Sequence, residues 1–127
     1  MVYTFMNKYG YGGRLIHVHP FKQKAVKHMI DNIFDWVDYA ILFGSSVHPA
    51  CHPASDIDVC LIGKSVGEFN SQKLRVPGQA YDFICCDTLP DLKAAADESI
   101  NNIYRTILEK GVIVYDKHNN FASASNI

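Results

Sequence analysis

The chain has 127 residues, 48% hydrophobic and 20% charged, which suits one globular domain large enough to bury a sizeable core. Twelve basic and 13 acidic residues give a net charge of −1, which argues against strong non-specific binding to nucleic acids. No apolar run approaches the ~20 residues that span a bilayer, and no signal-peptide core is visible, so we expect a cytoplasmic protein without a membrane anchor.

The predicted domain has an N-terminal extension (1–19), a core (about 20–116) and a flexible tail (117–127). Pro20 opens a helical pattern whose apolar stripe continues to Val37. Lys22 lies off that stripe and is expected to face solvent. The other predicted elements are a short strand Leu15–Val18, strands Tyr39–Phe43, Val59–Ile62, Ala80–Cys86 and Val112–Tyr115, and one helix from Pro90 to Lys110.

Three carboxylates accompany two of these strands. Asp56 and Asp58 are two residues apart at a strand start, so their side chains point to the same face. Asp82 opens the next apolar strand, and all three converge if the two strands are neighbours. Like charges side by side are costly without a cation, and oxygen ligands suit Mg²⁺ or Mn²⁺. The pattern therefore predicts a metal site.

Gly44 and Ser45 end the first buried strand, and ten residues separate Ser45 from Asp56. Glycine allows a close backbone approach or a positive φ, and a following serine can cap a short helix that faces an anion. An ordinary tight turn is the alternative for this dipeptide taken alone.

Gly44-Ser45, ten intervening residues and then Asp56-Ile57-Asp58, in the setting FGS…SDIDV and followed by a strand bearing Asp82, resembles the DNA polymerase β-like nucleotidyltransferases, most closely their minimal (MNT-type) members. The resemblance covers about Phe21 to Tyr115. It implies an α+β fold, a mixed sheet backed by helices like the polymerase β palm. It also implies Mg²⁺-dependent transfer of a nucleoside monophosphate from an NTP.

By this resemblance, Asp56, Asp58 and Asp82 are the catalytic residues and hold the metal ions, and Asp82 can help to remove the acceptor hydroxyl's proton. Gly44, Ser45 and Ser55 are then expected to bind the nucleotide. Cations that clamp the attacking and leaving oxygens are the general basis of such two-metal reactions.

Two features depart from the family pattern. Pro49 stands where members often have glycine, and a proline there predicts that any helix after Gly44 is one irregular turn. The loop 46–54 also lacks Lys and Arg, which many members carry. The charge of the phosphates would then depend on the metals and on a more distant base, such as Lys64, Lys73 or Arg75.

The same loop contains His48, Cys51 and His52, which are possible zinc ligands. Two prolines stiffen the loop and no fourth ligand has a recognisable spacing, so zinc is the weaker hypothesis. The other cysteines are Cys60, Cys85 and Cys86. We expect reduced thiols, and Cys85 and Cys86 are expected to pack as small hydrophobic groups rather than to act as nucleophiles.

Tyr104 and Arg105 lie on the last predicted helix. Both could face a substrate, but a core tyrosine and a surface arginine are the favoured interpretation.

We therefore expect an adenylyltransferase that uses ATP. The resemblance implies an acceptor presented by a homo-oligomer mate or a small helical HEPN-type partner, as in toxin–antitoxin-like pairs. Two alternatives stay open: an antitoxin-like binding module with weak or no activity, and a transferase for small molecules such as antibiotics.

Overall fold

The computed structural model describes residues 18–64, 70–98 and 102–118. The predicted strand Leu15–Val18 falls outside these ranges except for Val18, which is buried but belongs to no strand. The expected flexible tail also lies outside them beyond His118. The first two residues of that tail are tethered, because the Lys117 amide donates a hydrogen bond to the Asp38 carbonyl (2.9 Å) and His118 contacts the Asp38 carboxylate.

The described residues form an α+β fold with a four-stranded mixed sheet and three α-helices, which confirms the predicted fold class at this level. In chain order the elements are α1 (Pro20–Asp31), β1 (Tyr39–Phe43), β2 (Ile57–Ile62), β3 (Tyr81–Cys86), α2 (Leu89–Asp97), α3 (Ile103–Lys110) and β4 (Val112–Asp116). Short 3₁₀ turns cover Gly44–Val47 and Ser71–Leu74. Within the described ranges, no helix combines the length and apolar character needed to cross a bilayer.

The strand order is β3-β2-β1-β4. β1 pairs antiparallel with β2 and with β4, whereas β2 and β3 run parallel. The parallel register places Ile57 opposite Tyr81 and Asp58 opposite Asp82. The two predicted acidic strands are thus direct neighbours, with their acidic residues near the same end.

Alternating side chains divide the core between the two faces of the sheet. On one face, α1 packs through Ala25, Val26 and Met29 against residues such as Leu42 and Val59. On the other face lie the α2 and α3 residues Leu92 and Ile107, with Ile41, Cys60 and Ile62 of the sheet. Both layers consist largely of fully buried aliphatic side chains, so the positions of the strand ends are well determined by packing.

Two predicted helices have different bounds in the structure. The helix from Pro20 ends at Asp31, where the amide of Asn32 bonds back to the last turn, and Ile33 and Phe34 pack on the core from outside any helix. The single helix predicted over 90–110 is two helices. Asn102 is the N-cap of α3, with its side chain accepting from the Arg105 amide (2.8 Å) and donating to the Ala95 carbonyl (2.9 Å). The apolar spacing continues across this junction and hides it.

The four cysteine thiols are free. Cys60 and Cys86 lie on neighbouring strands, and the nearby Cys86 thiol, together with burial, raises the pKa of Cys60. Cys51 is buried as well, whereas Cys85 is exposed. The prediction that Cys85 and Cys86 pack as small hydrophobic groups is therefore wrong for Cys85, whereas Cys86 is partly buried and packs against the core on the α2–α3 face.

Candidate functional site

The predicted carboxylates lie together at the start of β2 and β3. Asp58 and Asp82 are the second residues of these strands and stand opposite each other, and Asp56 directly precedes β2. Burial, and then the negative charges of Asp82 and Asp56, raise the pKa of Asp58. Asp56 and Asp82 thus both lie close enough to Asp58 to act on its carboxylate electrostatically, which places net negative charge where β2 and β3 begin.

The three carboxylates lie near one another, but they do not form a ready-made set of metal ligands. Among the residues that the structure describes, no three His, Cys, Asp or Glu side chains are gathered as a group that could hold a metal ion. The donor set nevertheless fits Mg²⁺ or Mn²⁺ chemically, because it consists of carboxylate oxygens whose mutual repulsion a divalent cation would relieve.

Gly44 lies directly against this acidic group. Its φ is +73°, and a Cβ at this position would stand 2.6 Å from Oδ2 of Asp58. Any other residue would therefore meet the carboxylate and also adopt an unfavourable backbone conformation. The expected reason for a glycine, close approach together with positive φ, is confirmed here.

The turn after β1 is a single 3₁₀ turn, Gly44–Val47, and His48 ends it in extended conformation. This agrees with the effect predicted for Pro49. The capping role considered for Ser45 is wrong, because the turn begins at Gly44 after Phe43, and no side chain caps it. Ser45 instead lies inside the turn.

A cleft of about 660 Å³ opens beside this turn. Its lining residues are Gly44, Ser45, Val47, His48, Ala50, Thr106 and Lys110. The cleft brings Gly44 and Ser45 together with the last turn of α3, so Lys110 supplies a cationic side chain near the loop that has none. Lys110 was interpreted from the sequence only as a helix-terminal residue, because a lysine there is also what the helix dipole favours.

Ser55, predicted to contact the nucleotide, does not line this cleft. Its hydroxyl accepts a hydrogen bond from the His52 amide (3.2 Å), and its carbonyl accepts from Lys22 and Gln79. The described contacts of Ser55 therefore serve to shape the segment that leads into Asp56.

The suggested zinc ligands of the loop are engaged in local structure. Nδ1 of His48 accepts from the Ala50 amide (3.0 Å), and Nδ1 of His52 accepts from the Ala54 amide (3.1 Å). Cys51 is buried, with its thiol donating weakly to the His52 carbonyl. These contacts explain the residues as turn formers.

Arg75, considered as a base for phosphate, lies on the face of the sheet that α1 covers. Its guanidinium carbon stands 5.7 Å from the ring centre of Tyr81 and 5.2 Å from that of Phe83, two side chains that alternate with Asp82. Arg105 pairs with Glu109 at 3.7 Å, and Tyr104 packs on the α2–α3 side of the core. Lys64 and Lys73 are exposed.

Lys22 is the residue near the site that the sequence interpretation placed wrongly. It is 0% exposed, and its ammonium donates to the carbonyls of Pro53 and Ser55 and to Oε1 of Gln79. The sequence contains a signal that the interpretation missed, because Lys22 lies three, four and seven residues before Ala25, Val26 and Met29, on the same face of α1. The charge of the lysine, and not its spacing, favoured solvent.

Fold and site together define a small α+β domain with an acidic centre where two parallel strands begin, flanked by a glycine turn and a cleft. Comparison of the sequence with models of known protein families finds no match. Comparison with curated proteins likewise finds no relative.

Proposed function

We propose that the chain is a divalent-metal-dependent nucleotidyltransferase, which moves a nucleoside monophosphate from an NTP to a hydroxyl group. The observation that carries this proposal is the environment of Asp58. Its half-buried carboxylate lies beside Asp56 and Asp82, and the backbone of Gly44 is packed against it. The resemblance of FGS and SDIDV to the minimal polymerase β-like transferases favours ATP as the donor.

In this proposal, Asp56, Asp58 and Asp82 would hold Mg²⁺ or Mn²⁺. The bound cation would supply neutralisation of phosphate charge and a lowered pKa of the acceptor hydroxyl. Gly44 leaves the backbone of the turn open to a phosphate, and Ser45 presents a hydroxyl to the same cleft. Lys110 lines the same cleft and would add positive charge there, where the loop itself provides none.

The resemblance supports a hydroxyl on a small helical HEPN-type partner, or on a second copy of the chain, as the acceptor. The test is incubation with labelled ATP, GTP, CTP or UTP and Mg²⁺, with and without cell lysate, followed by detection of label on protein and on small molecules. We expect Mg²⁺-dependent labelling with ATP.

Asp56→Asn, Asp58→Asn and Asp82→Asn should each remove the labelling. Asp87→Asn is the matched control, because Asp87 is an exposed carboxylate that follows the opposite end of β3. Labelling that survives Asp58→Asn, or no labelling of any acceptor, would contradict the transferase proposal.

A second candidate is a module that binds nucleotide and a partner without turnover. It is favoured by the described carboxylates not being gathered as ligands and by the single 3₁₀ turn after Gly44. Calorimetry separates the two: Mg²⁺-dependent ATP binding that Asp58→Asn abolishes, without transfer to any acceptor, would support the binding module.

A further inference from the structure

Lys22 is the most completely buried charged side chain near the site. Its ammonium is surrounded by three neutral oxygens, at 3.0 Å from the Pro53 carbonyl and 2.9 Å from Oε1 of Gln79, with the Ser55 carbonyl as the third. An ammonium has three donors, so every one of them is used. Burying a charge is costly unless all of its donors have partners, so the position of the ammonium is tied to the positions of these three oxygens.

The three acceptors belong to the two segments that enter the acidic strands. Pro53 and Ser55 precede Asp56 and β2, whereas Gln79 precedes β3 and Asp82. Lys22 reaches both from α1 and so joins three parts of the chain at one point.

Gln79 extends the same network between the segments. Its Nε2 donates to the Ser55 carbonyl (2.9 Å) and to the Ala80 carbonyl (2.8 Å). The Ala80 carbonyl also accepts from the amide of Ile57, the first residue of β2, at 2.9 Å. The network therefore ends one or two residues away from each of the three carboxylates.

From this connectivity we infer that Lys22 is a positioning residue, which fixes the distance between the Asp56–Asp58 pair and Asp82 by clamping the segments that lead into β2 and β3. This inference rests on the proposed function. Without the clamp, the two segments lose their common donor, and the carboxylates lose the fixed spacing that a shared cation needs. Metal affinity is then expected to fall more than stability does, in line with other residues that orient metal ligands.

The fold has other contacts that retain α1. Val26 and Met29 are fully buried, and the Tyr81 hydroxyl donates to the Ala25 carbonyl at 3.2 Å. Lys22→Met keeps the length of the side chain and removes the three donors. Lys27→Met is the matched control, since Lys27 lies on the same helix and its exposed ammonium contacts only Asp31 among the described residues.

The experiment is titration with Mn²⁺, followed by the electron paramagnetic resonance signal of the free ion, together with thermal unfolding of each variant. We expect Lys22→Met to weaken Mn²⁺ binding about 10- to 100-fold. Lys27→Met should stay within about twofold of the unmodified protein, because exposed ion pairs contribute little. Asp58→Asn should abolish the binding and so identify the site.

A folded Lys22→Met variant that binds Mn²⁺ as tightly as the unmodified protein would overturn this inference and leave the proposed function unaffected. Should Lys22→Met unfold at the titration temperature, Gln79→Met decides, because it removes the other side chain of the network at a half-exposed position. Unchanged Mn²⁺ affinity in Gln79→Met overturns the inference, and weakened affinity supports it. Absence of Asp58-dependent binding in the unmodified protein instead overturns the proposed function, and the inference with it.

Discussion

On the side of the sheet covered by α1, the cationic side chains Lys22 and Arg75 have specific partners, whereas on the opposite face Asp58 lies beside two further carboxylates. Lys22 is surrounded by oxygens, and Arg75 lies over two aromatic rings. The charge of Asp58 is unfavourable where it stands, as its raised pKa shows. Like charges that lie together without a compensating partner, in a fold whose other charges have partners, are typical of a functional site. This contrast indicates a functional site on the face that carries Asp58.

The largest effect is expected from removing the negative charge of Asp58, which lies beside two other carboxylates. Asp58→Asn should lower nucleotide transfer by about 100-fold or more, since metal-held charge stabilisation amounts to several kcal/mol. The same change should raise the melting temperature at pH 7 by roughly 2 °C, because it relieves a charge that costs stability. Transfer rates and melting temperatures, measured on the same preparations, check both predictions. An Asp58→Asn variant that is less stable and fully active would contradict the difference inferred between the two faces of the sheet.

The stability gained by Asp58→Asn should depend on pH in a defined direction. The pKa of Asp58 is raised above its ordinary value of 3.8, so the folded protein binds this proton more tightly than the unfolded chain does. The destabilising contribution of the carboxylate is therefore absent at pH values below 3.8 and develops as the pH rises through the raised pKa. The difference in melting temperature between Asp58→Asn and the unmodified protein should grow over that window. A difference that shrinks with rising pH would exclude this explanation.

The next effect concerns the glycine that borders the acidic face. Gly44→Ala and Gly78→Ala both place a side chain at positive φ, +73° and +84°, and each should cost about 1–2 kcal/mol of unfolding free energy. Only Gly44 has Asp58 in the way, because a Cβ on Gly78 meets nothing within 4 Å. Gly44→Ala alone should therefore also lower transfer, by about 10- to 100-fold, through displacement of the carboxylate.

Denaturant unfolding and transfer rates on both variants test this pair. Equal transfer rates in Gly44→Ala and Gly78→Ala would show that the contact with Asp58 has no part in the function.

The position of the carboxylates on β2 and β3 could be predicted from the sequence, whereas the contacts of Lys22 on the α1 side could not, for a physical reason. Asp58 and Asp82 each open a short apolar strand, and the two-residue period of a strand fixes the face on which each side chain lies. The acceptors of Lys22 are 31, 33 and 57 residues further along the chain, so no local spacing reveals them. Its spacing to the buried residues of α1 places Lys22 on the face that packs on the sheet, but a lysine is ordinarily solvated, so its charge led to the wrong prediction.

The cleft follows the same rule. Gly44 was recognisable because it precedes the aspartates at a fixed distance, whereas Lys110 reaches the cleft through the packing of α3 on the sheet. The junction between α2 and α3 was hidden as well, because apolar spacing continues across it and only the side-chain contacts of Asn102 mark the new helix.

A smaller effect is expected for Arg75, which lies on the side of the sheet that α1 covers. Arg75→Met keeps an apolar stem and removes the guanidinium from above Tyr81 and Phe83, at an expected cost of about 1 kcal/mol of unfolding free energy. The KM for the nucleotide should not change, since these rings lie on the face opposite to Asp82. Lys73→Met is the matched control at an exposed neighbouring position. A raised KM in Arg75→Met would instead support a phosphate contact by Arg75.

The smallest effect is expected inside the glycine turn. The hydroxyl of Ser46 is buried and has no hydrogen-bond partner among the described residues. Ser46→Ala should therefore leave the unfolding free energy unchanged or raise it by up to about 0.5 kcal/mol, because the hydroxyl is desolvated without compensation. Its neighbour Ser45 lines the cleft, so Ser45→Ala should instead raise the KM for the nucleotide with little effect on stability. Denaturant unfolding and nucleotide titration separate the two serines, and a loss of more than about 1 kcal/mol in Ser46→Ala would mean that its hydroxyl is satisfied in the folded protein.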